Sequence, residues 1–173
     1  MNKCTGGFFK LTIKITNVNS DDLLDIFKIE ETGFVPEQAA TKEAIAERIE
    51  HITDTFFVAR NDDNKVIGFI NGPVVNQRYL TDDLFVKTTV NPANGGFQSI
   101  LSLAVSAKYQ HQGISGQLLK AMEENALSNK RQAVTLTCLR ELIEFYERHG
   151  YKNEGMALSE HGGAEWFNMV KVI

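Results

Sequence analysis

Hydrophobic residues along the chain switch between two spacings. Over residues 8–16, Leu11, Ile13 and Ile15 alternate with Lys10, Thr12 and Lys14, the period of two that predicts a half-buried strand. Leu23, Ile26, Phe27 and Glu30 then recur at helical spacing. Ser20 is the candidate cap of that helix, Asp21 and Asp22 suit the positive end of its dipole, and Gly33 is read as its stop. Thr41 is a candidate cap for a second helix with Ile45, Ile49 and Ile52 on one face. Residues 55–60 and 65–71 read as the two strands of a hairpin around an Asn-Asp-Asp-Asn turn. A polar stretch from Pro73 to Asp83 reads as a loop or strand end, and Pro92-Ala93-Asn94-Gly95-Gly96 as a breaker.

The second half repeats the alternation. Residues 98–105 predict a strand, and residues 113–129 a helix through Ile114, Leu118, Met122 and Ala126. Residues 133–138 predict a strand, and residues 139–149 a helix with Leu142, Ile143 and Tyr146 on one side and Gly150 as its stop. Two last strands, 151–157 and 165–172, flank His161-Gly162-Gly163. Interleaved strands and helices give a mixed α/β (α+β) class, and no linker-like stretch divides residues 1–173, which are read as a single domain.

Composition narrows the picture. The chain has 173 residues, 43% hydrophobic and 23% charged, with only 3 prolines, so wholesale disorder is excluded. A net charge of −4 weighs against a nucleic-acid partner. Cys4 and Cys138 lie far apart with no paired spacing, which predicts no disulfide framework and a reducing compartment. No signal-like N-terminus and no apolar run near the ~20 residues of a membrane helix is present, so the expectation is a cytoplasmic protein without a membrane partner.

The segment with candidate chemistry begins where a strand ends at Leu103-Ala104-Val105. A polar turn follows, and a helix opens among Gln110, His111, Gln112, Gly113, Ile114, Ser115 and Gly116. The first amides of a helix lack internal partners and sit at its positive end, so small residues there let a phosphate approach. The turn is a candidate pyrophosphate cradle, although it has neither a Gly-Lys-Ser/Thr loop nor GxGxxG spacing. An ordinary strand–turn–helix junction with glycines for tight packing is the plainer reading of the local physics.

Gln110-x-x-Gly113-x-Ser115 resembles the Gln/Arg-x-x-Gly-x-Gly/Ala motif of the GNAT acetyltransferases, with serine in the last place. The run from Leu142 through Phe145-Tyr146 to Gly150-Tyr151 is similar to that family's FYxxxGF segment. Gly68-Phe69-Ile70-Asn71-Gly72, Tyr79-Leu80-Thr81, Leu136-Thr137-Cys138, Pro36-Glu37-Gln38-Ala39-Ala40 and the stretch around His161 and Trp166 resemble bacterial relatives of the arylalkylamine (serotonin-type) N-acetyltransferases. The resemblance implies a GNAT-type fold, a single mixed and mostly antiparallel sheet of about six to seven strands flanked by about four helices. It implies acetyl-CoA as cosubstrate, its pyrophosphate on the amides of the Gln110–Gly116 turn and its pantetheine arm along Leu103, Ala104 and Val105, with no metal. It implies transfer of the acetyl group to a small primary amine by direct attack in a ternary complex, in a monomer or homodimer. Two alternatives stand beside that reading: a protein or peptide N-acetyltransferase, and a non-catalytic acyl-CoA-binding module. Ser99 and Leu101 stand where the vertebrate arylalkylamine enzymes carry two histidines, so their proton path is not reproduced.

Individual residues carry two readings each. Periodicity alone makes Tyr146 an amphipathic core tyrosine, whereas the resemblance makes it the general acid beside the CoA sulfur. His161 either lines the amine pocket or relays protons, or else bonds its own turn. Glu37 either pairs with a cationic amine or is a solvated loop acid. Phe34, Phe97 and Trp166 form either an apolar substrate wall or core. His111 is read as solvent-facing or phosphate-side, His51 and His149 as helix-terminal, and Cys138 as a small buried hydrophobe. The four histidines lack the spacing of a metal site.

Overall fold

The structure, a computed structural model, describes residues 12–173. The elements are β1 (Lys14–Asn17), α1 (Leu23–Gly33), α2 (Lys42–His51), β2 (Phe56–Arg60), β3 (Val66–Asn71), β4 (Val74–Val75), β5 (Phe97–Ile100), β6 (Ser102–Val105), α3 (Ile114–Ser128), β7 (Ala133–Leu139), α4 (Ile143–Arg148), β8 (Lys152–Met156) and β9 (Trp166–Val172). The α/β class is the expected one. The strands are arranged in two sheets, however, β1-β2-β3-β6 and β4-β5-β7-β9-β8, instead of one sheet of six to seven strands.

The division has a local cause. Residues 98–105, read from sequence as one strand, change partners at Leu101. β5 pairs in parallel with β7 from Gln98 opposite Val134 to Ile100 opposite Leu136. β6 pairs antiparallel with β3 from Ser102 opposite Asn71 to Val105 opposite Gly68. Leu101 is held at the junction by its amide, which donates to the Asn71 carbonyl at 2.8 Å. Gly72 makes the crossing tight, because a Cβ there would collide with the Ser99 carbonyl.

Side-chain alternation on β2 and β3 feeds two cores. Val58 and Phe69 face α1 and α2, packing with Ile26, Ile29, Ile45 and Ile49. Ala59, Ile67 and Ile70 face the other way, onto Ile114, Leu118, Met122 and Ala126 of α3. Both faces of this pair are therefore buried, which explains their nearly continuous apolar runs.

Helix ends follow the sequence closely, with one shift. Thr41 caps α2, accepting from the Ala44 amide at 3.1 Å, and α1 closes at Gly33. The cap before α1 is Asn19, not Ser20; it accepts from the Asp21 amide, while Asp22 accepts from the Asn19 amide, around a 3-10 turn Ser20–Asp22. Residues 8–11 of the expected first strand lie outside the described residues, and β1 overlaps the remainder at Lys14–Thr16.

Asp22 is also half of a buried ion pair. Arg60 donates from Nη1 and Nη2 to the two carboxylate oxygens at 2.9 and 2.7 Å, and from Nε to Thr16 at 3.1 Å. Removing one buried partner leaves the other charge uncompensated, so Asp22→Ala should destabilise the fold by about 3 kcal/mol. The urea midpoint of D22A should fall accordingly, and the double substitution D22L/R60M should recover most of the loss.

Candidate active site

Where β6 leaves β5, it also leaves β7, and a cleft opens between them. Among the described residues β6 is the edge of its sheet, and its outer backbone groups have no strand partner. One of them, the Val105 carbonyl, accepts from Gln110 Nε2 at 3.1 Å, which ties the turn to the strand end. His111 at φ 60° and Gly113 at φ 77° are both left-handed and bend the chain sharply into α3. Gly113 is the N-cap of α3, and no side chain caps it. The first amides of a 15-residue helix therefore remain available at its positive end. Gln110, His111, Gln112 and Gly113 are exposed, Ser115 and Gly116 half-buried, and Ile114 anchors the turn in the core.

The cleft leads into a cavity of about 650 Å³. Ile100 to Leu103 form one wall and Leu136 to Leu139 another, and Tyr146, Phe34, His161 and Trp166 also face it. Of the residues singled out from sequence, Leu103, Tyr146, Phe34, His161, Trp166 and Cys138 are thus brought together. Ala104 and Val105 are buried in the two cores on either side of their strand, which leaves only their backbone for a ligand. Glu37 is exposed and does not line the cavity. Phe97 pairs with Val75 at the start of β5, outside the lining. Ser99 is buried and donates to the Pro73 carbonyl, whereas Leu101 lines the cavity.

Tyr146 is 7% exposed, edge-on to Phe145 and Tyr151. Burial, with a smaller contribution from Cys138, raises its phenol well above the usual range, so it stays protonated. Cys138 lies in the same cavity, and burial pushes its thiol up to about 12. It is an inert thiol, as expected of a buried cysteine.

Sequence reading missed three contributors. Glu30 and Arg48 are each 1% exposed and lie on the cavity floor. Glu30 Oε1 accepts from the Ala40 amide at 2.7 Å and from Ser102 at 3.4 Å, while Oε2 has no partner. Burial raises the Glu30 pKa, partly offset by the Ala40 hydrogen bond and by Arg48. Burial lowers that of Arg48, with Glu30 opposing. Their signal was present, since Glu30 falls on the stripe of Leu23, Ile26 and Phe27. The third is Phe85, on a 3-10 turn Asp82–Phe85 that runs past the end of the supposed Pro73–Asp83 loop, stacked on His161 at 4.3 Å.

The acetyltransferase (GNAT) domain family matches residues 53–153, more than half of the chain. The chain belongs to the GNAT acetyltransferases. The match takes in the split strand, the turn into α3 and Tyr146. No curated protein sequence matches the chain significantly. Among solved structures, this GNAT domain is similar to Ard1 from Thermoplasma volcanium, with 17% identity, 93% of this chain and 97% of that one covered, and a TM-score of 0.72. NAA60 of Arabidopsis thaliana in complex with acetyl-CoA gives 16% identity, 94% and 99% coverage and a TM-score of 0.73. The loading GNATL domain of CurA from Lyngbya majuscula gives 18%, 93% and 98%, and 0.72. These likenesses establish the fold.

Acetyl-CoA is the acetyl donor of this family, and the residues present fit it. The uncapped start of α3 offers amides to a pyrophosphate, and the open edge of β6 offers backbone groups to an extended amide-bearing arm. Among the described residues no group of three or more His, Cys, Asp or Glu side chains is gathered as a metal ion requires. No described helix is long and apolar enough to cross a membrane. Ser115→Asp should move two properties in opposite directions. A carboxylate in the first turn of α3 stabilises the helix by about 0.5 kcal/mol but repels a pyrophosphate. Calorimetry should show acetyl-CoA affinity down by ~10-fold or more while the melting temperature holds or rises.

Proposed function

We propose that this GNAT domain transfers the acetyl group of acetyl-CoA to a small primary amine, by direct attack within a ternary complex. The observation that carries the acceptor class is the join across the far end of the cavity. The loop between α1 and α2 meets the turn between β8 and β9 there, His161 Nε2 lying 3.2 Å from the Gln38 carbonyl and Gly162 packed on the Gln38 side chain. A joined end accommodates a small group and obstructs a continuous peptide. The resemblance to the arylalkylamine branch is consistent with such an acceptor.

In this reading the amides of the Gln110–Gly116 turn hold the pyrophosphate. The edge of Leu103, Ala104 and Val105 aligns the pantetheine arm, and Phe34 contributes to the apolar wall beside the amine. Tyr146 supplies the proton that the departing thiolate needs. A phenol raised by burial would be a poor donor to an ordinary thiolate. Burial disfavours a thiolate in the same cavity as well, raising the Cys138 thiol, so a departing thiolate there is a correspondingly stronger base.

Acetyl-CoA-dependent thiol release should be measured over arylalkylamines, polyamines, amino acids and short peptides with free N-termini. Turnover is expected with small amines and not with peptides; a peptide as the sole acceptor would assign the chain to the peptide N-acetyltransferases. Tyr146→Phe should lower kcat by roughly 100-fold or more, within the range for loss of a general acid. Its acetyl-CoA affinity should stay within about threefold of the parent, a difference under 1 kcal/mol.

A further inference from the structure

The acceptor must lose a proton before it attacks, because a simple alkylamine has a pKa near that of lysine, about 10.4. His161 stands out among the groups facing the cavity for how its ring is held. Its Nε2 lies 3.2 Å from the Gln38 carbonyl oxygen. A carbonyl can only accept, so Nε2 carries the hydrogen and Nδ1 of the neutral ring is a bare lone pair. No hydrogen bond to Nδ1 is made among the described residues.

The ring is also fixed in place. Phe85 stacks on it with centroids 4.3 Å apart at 9°, and Trp166 lies 6.1 Å away while donating its Nε1 hydrogen to the His161 carbonyl at 2.7 Å. The His161 amide donates to Ser159 Oγ, and Asp82 in turn accepts from that hydroxyl and from the Glu160 amide. Four segments thus converge to hold one imidazole at the cavity, more support than a histidine that merely closes its own turn would need. The ring is half-buried, so a proton it gains can pass on to water.

We infer that His161 is the proton acceptor of the reaction, its Nδ1 taking the first proton from the acceptor ammonium. The inference rests on the N-acetyltransferase reading above. The step balances. R–NH3⁺ gives one proton to Nδ1 and becomes R–NH2, whose lone pair forms the new C–N bond to the acetyl carbon. The C–S bond breaks, and Tyr146 protonates the thiolate. The second amine proton, lost as the amide forms, restores Tyr146, and the proton on His161 leaves to solvent.

Charged groups on the segments around the ring are Glu37 on the α1–α2 loop, Asp82 and Asp83 on the 3-10 turn, Glu160 on its own turn, and Glu165 paired with Arg140. None is hydrogen-bonded to the imidazole among the described residues.

Two measurements test this. Nitrogen NMR of the uniformly labelled protein should show the His161 imidazole in the Nε2–H form; the Nδ1–H form would overturn the proposal without any assay. His161→Gln should then be compared with the parent, using the best acceptor among phenethylamine, spermidine, glycine and a short peptide. Expected are unchanged acetyl-CoA affinity, a loss in kcat/KM of about 100-fold or more at neutral pH, and a deficit that shrinks toward pH 10, where much of the amine is already neutral. A variant that binds acetyl-CoA and loses less than threefold contradicts the role, as does one whose deficit is the same at neutral pH and at pH 10, or one whose defect lies in KM alone. If the parent itself acetylates no amine, the reading beneath the proposal falls, and the proposal with it.

Discussion

Everything at the site depends on one strand changing partners. β5 is bound to β7 and β6 to β3, and the change takes place at a single residue, Leu101. Backbone hydrogen bonds that a continuous sheet would satisfy internally are exposed along β6, and that exposure costs stability unless something pairs with them. The cleft is therefore an unfinished sheet, in which an extended ligand with its own amides can occupy the place of a strand. The uncapped end of α3 extends the same logic, since its amides also wait for an external acceptor.

Burial sets the protonation of the groups at the inner end of that cleft. It raises the Tyr146 phenol and the Cys138 thiol together, so both stay protonated. The same environment makes Glu30 and Arg48 costly residents. Among the described residues Oε2 of one and Nε of the other have no partner, and buried charged groups left partly unsatisfied are destabilising relative to an apolar floor. The glutamate repays part of this by anchoring the Ala40 amide, which sets the entry to α2 and with it the acceptor-side loop.

Elements governed by local rules were legible in the sequence. Thr41 and Gly33 delimit their helices as read, and the turn into α3 begins where Gly113 suggested. The Asn19 cap was missed by one residue, because Asn and Ser are near-equal caps and the 3-10 turn before α1 leaves no periodic trace. The break at Leu101 was not legible at all. Residues 98–105 are uniformly strand-like, and the division is imposed from outside by β3, β7 and the close approach at Gly72. At the site, Tyr146 and the α3 turn were visible through motif resemblance, and His161 through its place between two strands. Phe85 lies just past the polar stretch, where no element was read, and its stacking on His161 depends on a turn that only the folded chain brings near.

The most direct test is a crystal structure of the protein with CoA, read for one distance, from the cofactor sulfur to Tyr146 Oη. The account predicts an arm lying between β6 and β7, a pyrophosphate on the first amides of α3, and a sulfur about 3–3.5 Å from the phenol oxygen, within hydrogen-bond reach of a sulfur acceptor. A sulfur more than about 6 Å from that oxygen, with no ordered water between them, or an arm outside the cleft, would contradict it.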